Sequence, residues 1–154
     1  MMTLLVAAAV VISLGSVLYA AEPTTKPAAG GSTTTTASGL KITEVAAGSA
    51  NEFAVKAGDR VWVHYAGRLE SGKEFDSSYK RGEAIDFVVG QGRVIKGWDE
   101  GIQGMKLGDK RVLTIPPALG YGDRDIGGGL IPAGSTLVFD VELVGVYRPS
   151  AGSK

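Results

Sequence analysis

The chain contains no cysteine and a single histidine in 154 residues. Without cysteine there is no disulfide scaffold, no thiolate zinc site and no cysteine nucleophile. One imidazole cannot build a histidine-rich metal site. Net charge is missing as well, since 16 Lys and Arg balance 16 Asp and Glu. A nucleic-acid binder needs a basic excess to displace counterions, so that class is excluded. The sequence has no heptad pattern and no extra helix that could form a dimer arm, so it reads as a monomer. Most common sets of catalytic side chains are gone before any motif is read.

What is present is unevenly spread. Glu22 and Lys26 are the only charges before residue 39, and the run TLLVAAAVVISLGSVLYA at 3–20 is apolar or small. Two readings of this leader compete. A cleaved secretory signal would end at the small residues Ala20 and Ala21. An uncleaved anchor is also long enough, because about 18–20 apolar residues just span a bilayer. The lack of Lys or Arg ahead of the run weighs against the first. Ser13, Gly15 and Ser16 dilute the second, and the flanks show no positive-inside bias. Cleavage is the preferred reading, and membrane attachment follows only if the leader stays. We therefore expect residues 1–21 to be a signal peptide or anchor that makes the protein periplasmic or secreted. Residues 22–38 form a Thr/Ala/Pro/Gly tether whose composition predicts disorder. A domain is expected over 39–147, with a flexible tail over 148–154. At 154 residues the chain is long enough to bury a sizeable core.

The body alternates short strands with glycine turns. Leu40–Ala46 and Arg60–Leu69 alternate with period 2, which places Val61, Val63 and Tyr65 on one face. Glu70–Lys73 reads as a turn, Phe75–Ser78 as extended chain and Ile85–Val89 as a short strand. Within Val94–Gln103 the residues Val94, Trp98 and Ile102 are four apart, the spacing of one face of a short helix. Lys110–Ile115 is a strand stopped by Pro116 and Pro117, and Ser135–Tyr147 is the longest alternation. Such a sheet has one apolar face and the helix one apolar stripe. An antiparallel sheet half-wrapped around one helix, an α+β fold, buries both.

Three ordered segments then spell a family: VHYAGRLESGKEFDSS at 63–78, FVVGQGRVIKGWDEGIQGMKLGDKR at 87–111, and LGYG…LIPAGSTLVFDVELV at 119–144. Residues 39–147 resemble the FKBP-type (immunophilin) peptidyl-prolyl cis-trans isomerases. The resemblance implies a curved antiparallel β-sheet half-wrapped around one short α-helix, with an apolar pocket between them. It implies catalytic roles for Tyr65, Asp76, Trp98, Tyr121 and Phe139, with Trp98 as the pocket floor. It implies substrate contacts from Phe75, Arg81, Ile85, Phe87, Val94, Ile95, Leu130 and Ile131. No metal or cofactor is implied. The partners it implies are proline-containing unfolded or nascent exported proteins, with macrolide inhibitors as candidate ligands. Ile85 stands where some members carry Phe, and the loop Asp123–Gly129 lacks the His or aromatic that some place there. Both departures bear on substrate preference and macrolide affinity more than on activity.

The chemistry needs none of the missing side chains. An X-Pro bond resists rotation by ~18–20 kcal/mol because twisting breaks amide resonance. A dry apolar cleft favours the less polar twisted amide over the planar one. Each chosen residue also has a plainer reading. Trp98 and Phe139 would by default be core, Asp76 a turn acid, and Tyr121 a surface residue between Gly120 and Gly122. His64 faces away from Tyr65 and reads as structural. The run GQGRVIKG at 90–97 places its third glycine two positions too late for a phosphate loop. An adaptor or chaperone that holds proline segments with little turnover is the alternative to an enzyme. The intact pocket set favours the enzyme.

Overall fold

The computed structural model describes residues 31–49 and 53–150. The leader, and with it the signal-or-anchor expectation, lies outside the described residues. Seven strands form one antiparallel sheet: β1 (Thr33–Thr35), β2 (Lys41–Ala46), β3 (Arg60–Leu69), β4 (Glu74–Ser77), β5 (Ile85–Val88), β6 (Lys110–Ile115) and β7 (Leu137–Tyr147). Their spatial order is β1-β2-β6-β7-β3-β4, and β5 pairs the first residues of β3 (Arg60–Val63) while β4 pairs its later ones (Ala66–Arg68). Two short helices, α1 (Ser78–Arg81) and α2 (Lys96–Gly101), and a 3-10 turn at Pro117–Leu119 complete it. The fold is the α+β arrangement read from the sequence.

β3 and β7 pair along their whole length, from Arg60 opposite Tyr147 to Leu69 opposite Leu137. One bulge, at Trp62 and Val63, leaves Val144 as the extra residue on β7. On the inner face, Val61, Val63 and Tyr65 of β3 meet Leu137, Phe139, Val141 and Leu143 of β7, all buried. Leu113 and Ile115 of β6 extend this face to α2, which contributes Trp98 and is followed by the buried Ile102.

Two glycines bring α2 onto the sheet. Gly97 and Gly101 are one helical turn apart and share a face. A Cβ on Gly97 would stand 2.6 Å from Ile115, and one on Gly101 2.7 Å from Leu113. Only a side chain without Cβ allows this approach. Asp99 fixes the preceding loop, accepting the N–H groups of Gly90 at 2.9 Å and Gly92 at 3.0 Å.

Several expectations are corrected at the edges. Thr33–Thr35, placed in a disordered tether, pairs in register with Lys41–Thr43 as edge strand β1. Threonine is β-branched and suits a strand, and β2 offered an open edge. Arg148, placed in a flexible tail, is fastened: its guanidinium reaches Asp59 Oδ2 at 2.6 Å and the Ala54 carbonyl at 3.0 Å. The ordered unit thus runs past residue 147. The helix over Val94–Gln103 shortens to Lys96–Gly101, because Ile95 is extended (φ −58, ψ 150). The last strand begins at Leu137 rather than Ser135, whose hydroxyl closes a turn on the Pro132 carbonyl at 2.6 Å.

Candidate active site

A cleft of about 740 Å³ opens between the sheet and the loops around α2. Its floor is Trp98, only 4% exposed. Tyr65 meets the Trp98 ring edge-to-face at 5.0 Å and 82°, and Phe139 does so at 5.2 Å and 89°. Phe75 stands on Phe139 at 5.6 Å and 85°. Perpendicular contacts of this kind set each electron-poor ring edge against a neighbour's electron-rich face, which locks the rings in place.

The ladder dictates this box. Tyr65 of β3 lies opposite Val141 and Phe139 of β7 opposite Gly67, so the two aromatics are diagonal neighbours on one face. Phe75 comes in from β4, whose Asp76 pairs with Gly67. Gly67 was not singled out from the sequence, yet it seats two of the rings: a Cβ there would stand 2.6 Å from Phe139 and 2.9 Å from Phe75. A lone glycine inside a strand was the available signal.

One side of the mouth is polar and self-contained. The Tyr65 hydroxyl donates to Asp76 Oδ2, the Arg81 guanidinium donates to Asp76 Oδ1, and Arg81 Nη2 reaches the Tyr65 oxygen at 2.8 Å. Helix α1 delivers Arg81 and ends at Gly82, in the left-handed region at φ 69. Burial alone would raise the Asp76 carboxyl, but the hydrogen bonds from Tyr65 and Arg81 outweigh it and hold it below the usual carboxylate range. Burial, and then the Asp76 carboxylate, push the Tyr65 phenol above its ordinary value.

The facing walls come from two loops. Val94 and Ile95 precede α2, while Pro117, Ala118 and Tyr121 follow β6. The Ile95 carbonyl accepts the N–H groups of Trp98 at 2.9 Å and Asp99 at 3.3 Å, which starts the helix. Its own N–H has no backbone partner among the described residues. The Tyr121 loop is held by Gly122 N donating to the Pro117 carbonyl at 2.8 Å and Gly134 N donating to Gly122 at 2.8 Å. Ile85 completes the lining.

Four residues expected to contact substrate stand elsewhere. Phe87 is buried behind the floor, 5.9 Å from the Trp98 ring centre. Ile131 is 3% exposed in the core, tied to Ile126 by a short bridge. Leu130 belongs to the turn that the Ile126–Ile131 bridge closes, and it is 40% exposed. Arg81 acts through Asp76 and Tyr65 and does not line the cleft. Conversely Arg93, Lys96 and Arg124 line the cleft and were not picked out from the sequence. His64 lies off the cleft, bonded to the Ser78 hydroxyl at 2.9 Å and stacked on Tyr79 at 4.9 Å.

An aromatic-floored cleft beneath a half-wrapped antiparallel sheet is the arrangement that the resemblance to the prolyl isomerases implies. Residues 51–144 match FKBP-type peptidyl-prolyl cis-trans isomerase, and the chain belongs to that family. It is 56% identical over 114 residues to FK506-binding protein 1A of Neurospora crassa, covering 74% of this chain and 93% of that protein. It is 60% identical over 90 residues to peptidyl-prolyl cis-trans isomerase FPR2 of Saccharomyces cerevisiae, covering 58% of this chain and 66% of that protein. Among solved structures it resembles AtFKBP13, with TM-score 0.66, 44% identity and coverage of 75% of this chain and 99% of that one. It also resembles FkpA from Escherichia coli, with TM-score 0.67, 46% identity and coverage of 75% of this chain but 52% of that one. The protein is a peptidyl-prolyl cis-trans isomerase.

Proposed function

We propose that this isomerase acts on exported, proline-containing unfolded or nascent proteins, without a covalent intermediate. The observation that carries the mechanism is the perpendicular packing of Tyr65 and Phe139 on Trp98. It makes an apolar seat walled by aromatic rings, which we assign to the proline ring. The twisted amide is less polar than the planar one, so leaving water for this seat costs it less. Catalysis is then differential binding of the twisted geometry. The free Ile95 N–H and the Tyr121 hydroxyl supply donors for substrate carbonyls on either side of the proline. Asp76, fixed by Tyr65 and Arg81, keeps the Tyr65 ring upright against the floor.

Export is supported by the charge-free leader over 1–20 and by the position of the folded unit downstream of it. Slow X-Pro isomerisation limits the folding of many proteins, and clients crossing a membrane unfolded meet it on the far side. The same cleft is the seat we assign to macrolides, a reading supported by relatives named FK506-binding proteins.

The mechanism is tested with Xaa-Pro peptides in a protease-coupled assay, comparing wild type with Phe139→Ala and Asp76→Val. Both variants are expected to lose about tenfold or more in kcat/KM, since ~1.4 kcal/mol is tenfold. Undiminished activity in both would remove the aromatic seat from the mechanism. N-terminal sequencing of the mature protein tests export: a chain starting at Met1 in the soluble cell fraction would refute it.

A further inference from the structure

The cleft is apolar at its floor but not at its rim. Arg93 and Lys96, at the entry to α2, and Arg124, in the loop after the 3-10 turn, all line it. All three are exposed. None forms an ion pair among the described residues, whereas Arg60, Arg68, Lys80, Arg81, Lys110, Arg111 and Arg148 do.

The nearby carboxylates are engaged elsewhere. Asp76, the one acid lining the cleft, is taken by Tyr65 and Arg81. Asp99 accepts the Gly90 and Gly92 N–H groups, and Asp86 pairs with Arg60 at 2.5 Å. Asp125 accepts the Gly129 N–H at 2.7 Å, and Glu100 the Ser38 hydroxyl at 2.7 Å. Asp123 neighbours Arg124 in sequence but does not line the cleft. The carboxylates bonded to neutral groups keep their charge but do not line the cleft, whose lining carries three cations and one acid that is already ion-paired.

A cleft with low-dielectric walls and charges of one sign concentrates its potential toward whatever enters. An extended peptide rises ~3.3 Å per residue, so side chains one to three positions from a proline seated on Trp98 stand ~3–10 Å from it along a cleft that the three cations also line. We propose that Arg93, Lys96 and Arg124 make the enzyme select X-Pro segments flanked by Asp or Glu. This preference rests on the isomerase reading of the same cleft. The three cations are specificity residues: they attract flanking carboxylates and do not act on the rotating bond. Their reach is short, because screening at physiological salt extends over ~8 Å.

The test uses three peptides with one Ala-Leu-Pro-Phe centre, flanked on both sides by Glu, Gln or Lys. Cis-trans exchange is followed by NMR, which avoids any sequence preference of a coupling protease. At about 0.02 M salt the purified protein is expected to rank them Glu, Gln, Lys, with about a tenfold spread in kcat/KM. At about 0.5 M salt the spread should shrink below about twofold. The triple variant Arg93→Gln, Lys96→Gln, Arg124→Gln should lose the spread at low salt while its thermal midpoint stays near wild type. Equal rates on all three peptides, with the Gln peptide still accelerated, would overturn the preference and leave the isomerase standing. A spread that survives in the triple variant would also overturn it. No acceleration on any peptide would overturn the isomerase reading of the cleft and the preference together.

Discussion

Gly67 lies opposite Phe139 in the β3–β7 ladder, and a Cβ on it would stand 2.6 Å from a Phe139 ring carbon. The Phe75 ring crowds the same point at 2.9 Å. Gly67→Ala must therefore displace one or both rings. Overpacking of this kind costs about 1–3 kcal/mol. Urea unfolding should show that loss. Because both rings line the cleft, kcat/KM should also fall when measured well below the melting midpoint. A variant that is destabilised but fully active would mean that the ring positions do not govern turnover.

The α2–β6 contact sets two effects against each other. Alanine is preferred over glycine in a helix by about 0.8–1 kcal/mol, so propensity alone predicts that Gly97→Ala stabilises. The added Cβ, however, would stand 2.6–2.8 Å from three carbons of Ile115, which is fully buried and has nowhere to move. Overpacking of about 1–3 kcal/mol outweighs that gain, and a net loss of up to about 2 kcal/mol is expected. In an Ile115→Ala background the crowding carbons are gone and the same change should cost less. A coupling energy near zero in that double-mutant cycle would refute the contact as the cause.

The ion pair between Arg148 and Asp59 predicts a pH signature. Asp59 is 2% exposed and accepts from Arg148 at 2.6 Å and from the Lys56 N–H at 2.9 Å. The Arg148 hydrogen bond outweighs burial and holds the Asp59 carboxyl below the usual range. A carboxyl depressed on folding contributes fully above its unfolded value of about 4 and loses that contribution as pH falls through the lower folded value. Arg148→Gln leaves the buried Asp59 carboxylate short of its partner and should destabilise the fold near neutral pH. The deficit against wild type should narrow below about pH 4. A deficit independent of pH would assign the loss to Arg148 packing over Phe53, 4.2 Å from the ring centre.

Residues whose pattern is carried by burial were legible from sequence. Lys110–Ile115 was read with the bounds it has, and β3 likewise, because each has one face on the core and one off it. β1 carried no such pattern: Thr33–Thr35 is exposed throughout and is held by pairing alone. Helix α1, four residues long, is too short for a period to register. In the cleft, Trp98, Tyr65, Phe75 and Phe139 came from the family resemblance, and strand register then explains their meeting. Leu130 and Ile131 could not be told apart by composition, since the Ile126–Ile131 bridge decides which one turns inward. Arg93 and Arg124 sit in loops without periodicity and Lys96 opens a helix of only six residues, so only the three-dimensional path of the chain reveals their common rim.

Tyr121 offers the sharpest test of substrate positioning. It is half-buried and lines the cleft, while its carbonyl takes the local hydrogen bonds, from Arg124 N at 3.3 Å and Arg124 Nε at 3.4 Å. Removing the hydroxyl in Tyr121→Phe should leave stability within about 0.5 kcal/mol of wild type. A hydrogen bond to a substrate carbonyl is worth about 0.5–1.5 kcal/mol, so kcat/KM should fall by about twofold to thirteenfold. The split of that loss is informative. A rise in KM at constant kcat means the bond forms equally to the planar and the twisted amide. A fall in kcat means it strengthens as the bond twists, and the Tyr121 hydroxyl then contributes to catalysis rather than to binding alone. Unchanged kinetics would remove the hydroxyl from both roles and leave the ring as a wall of the cleft.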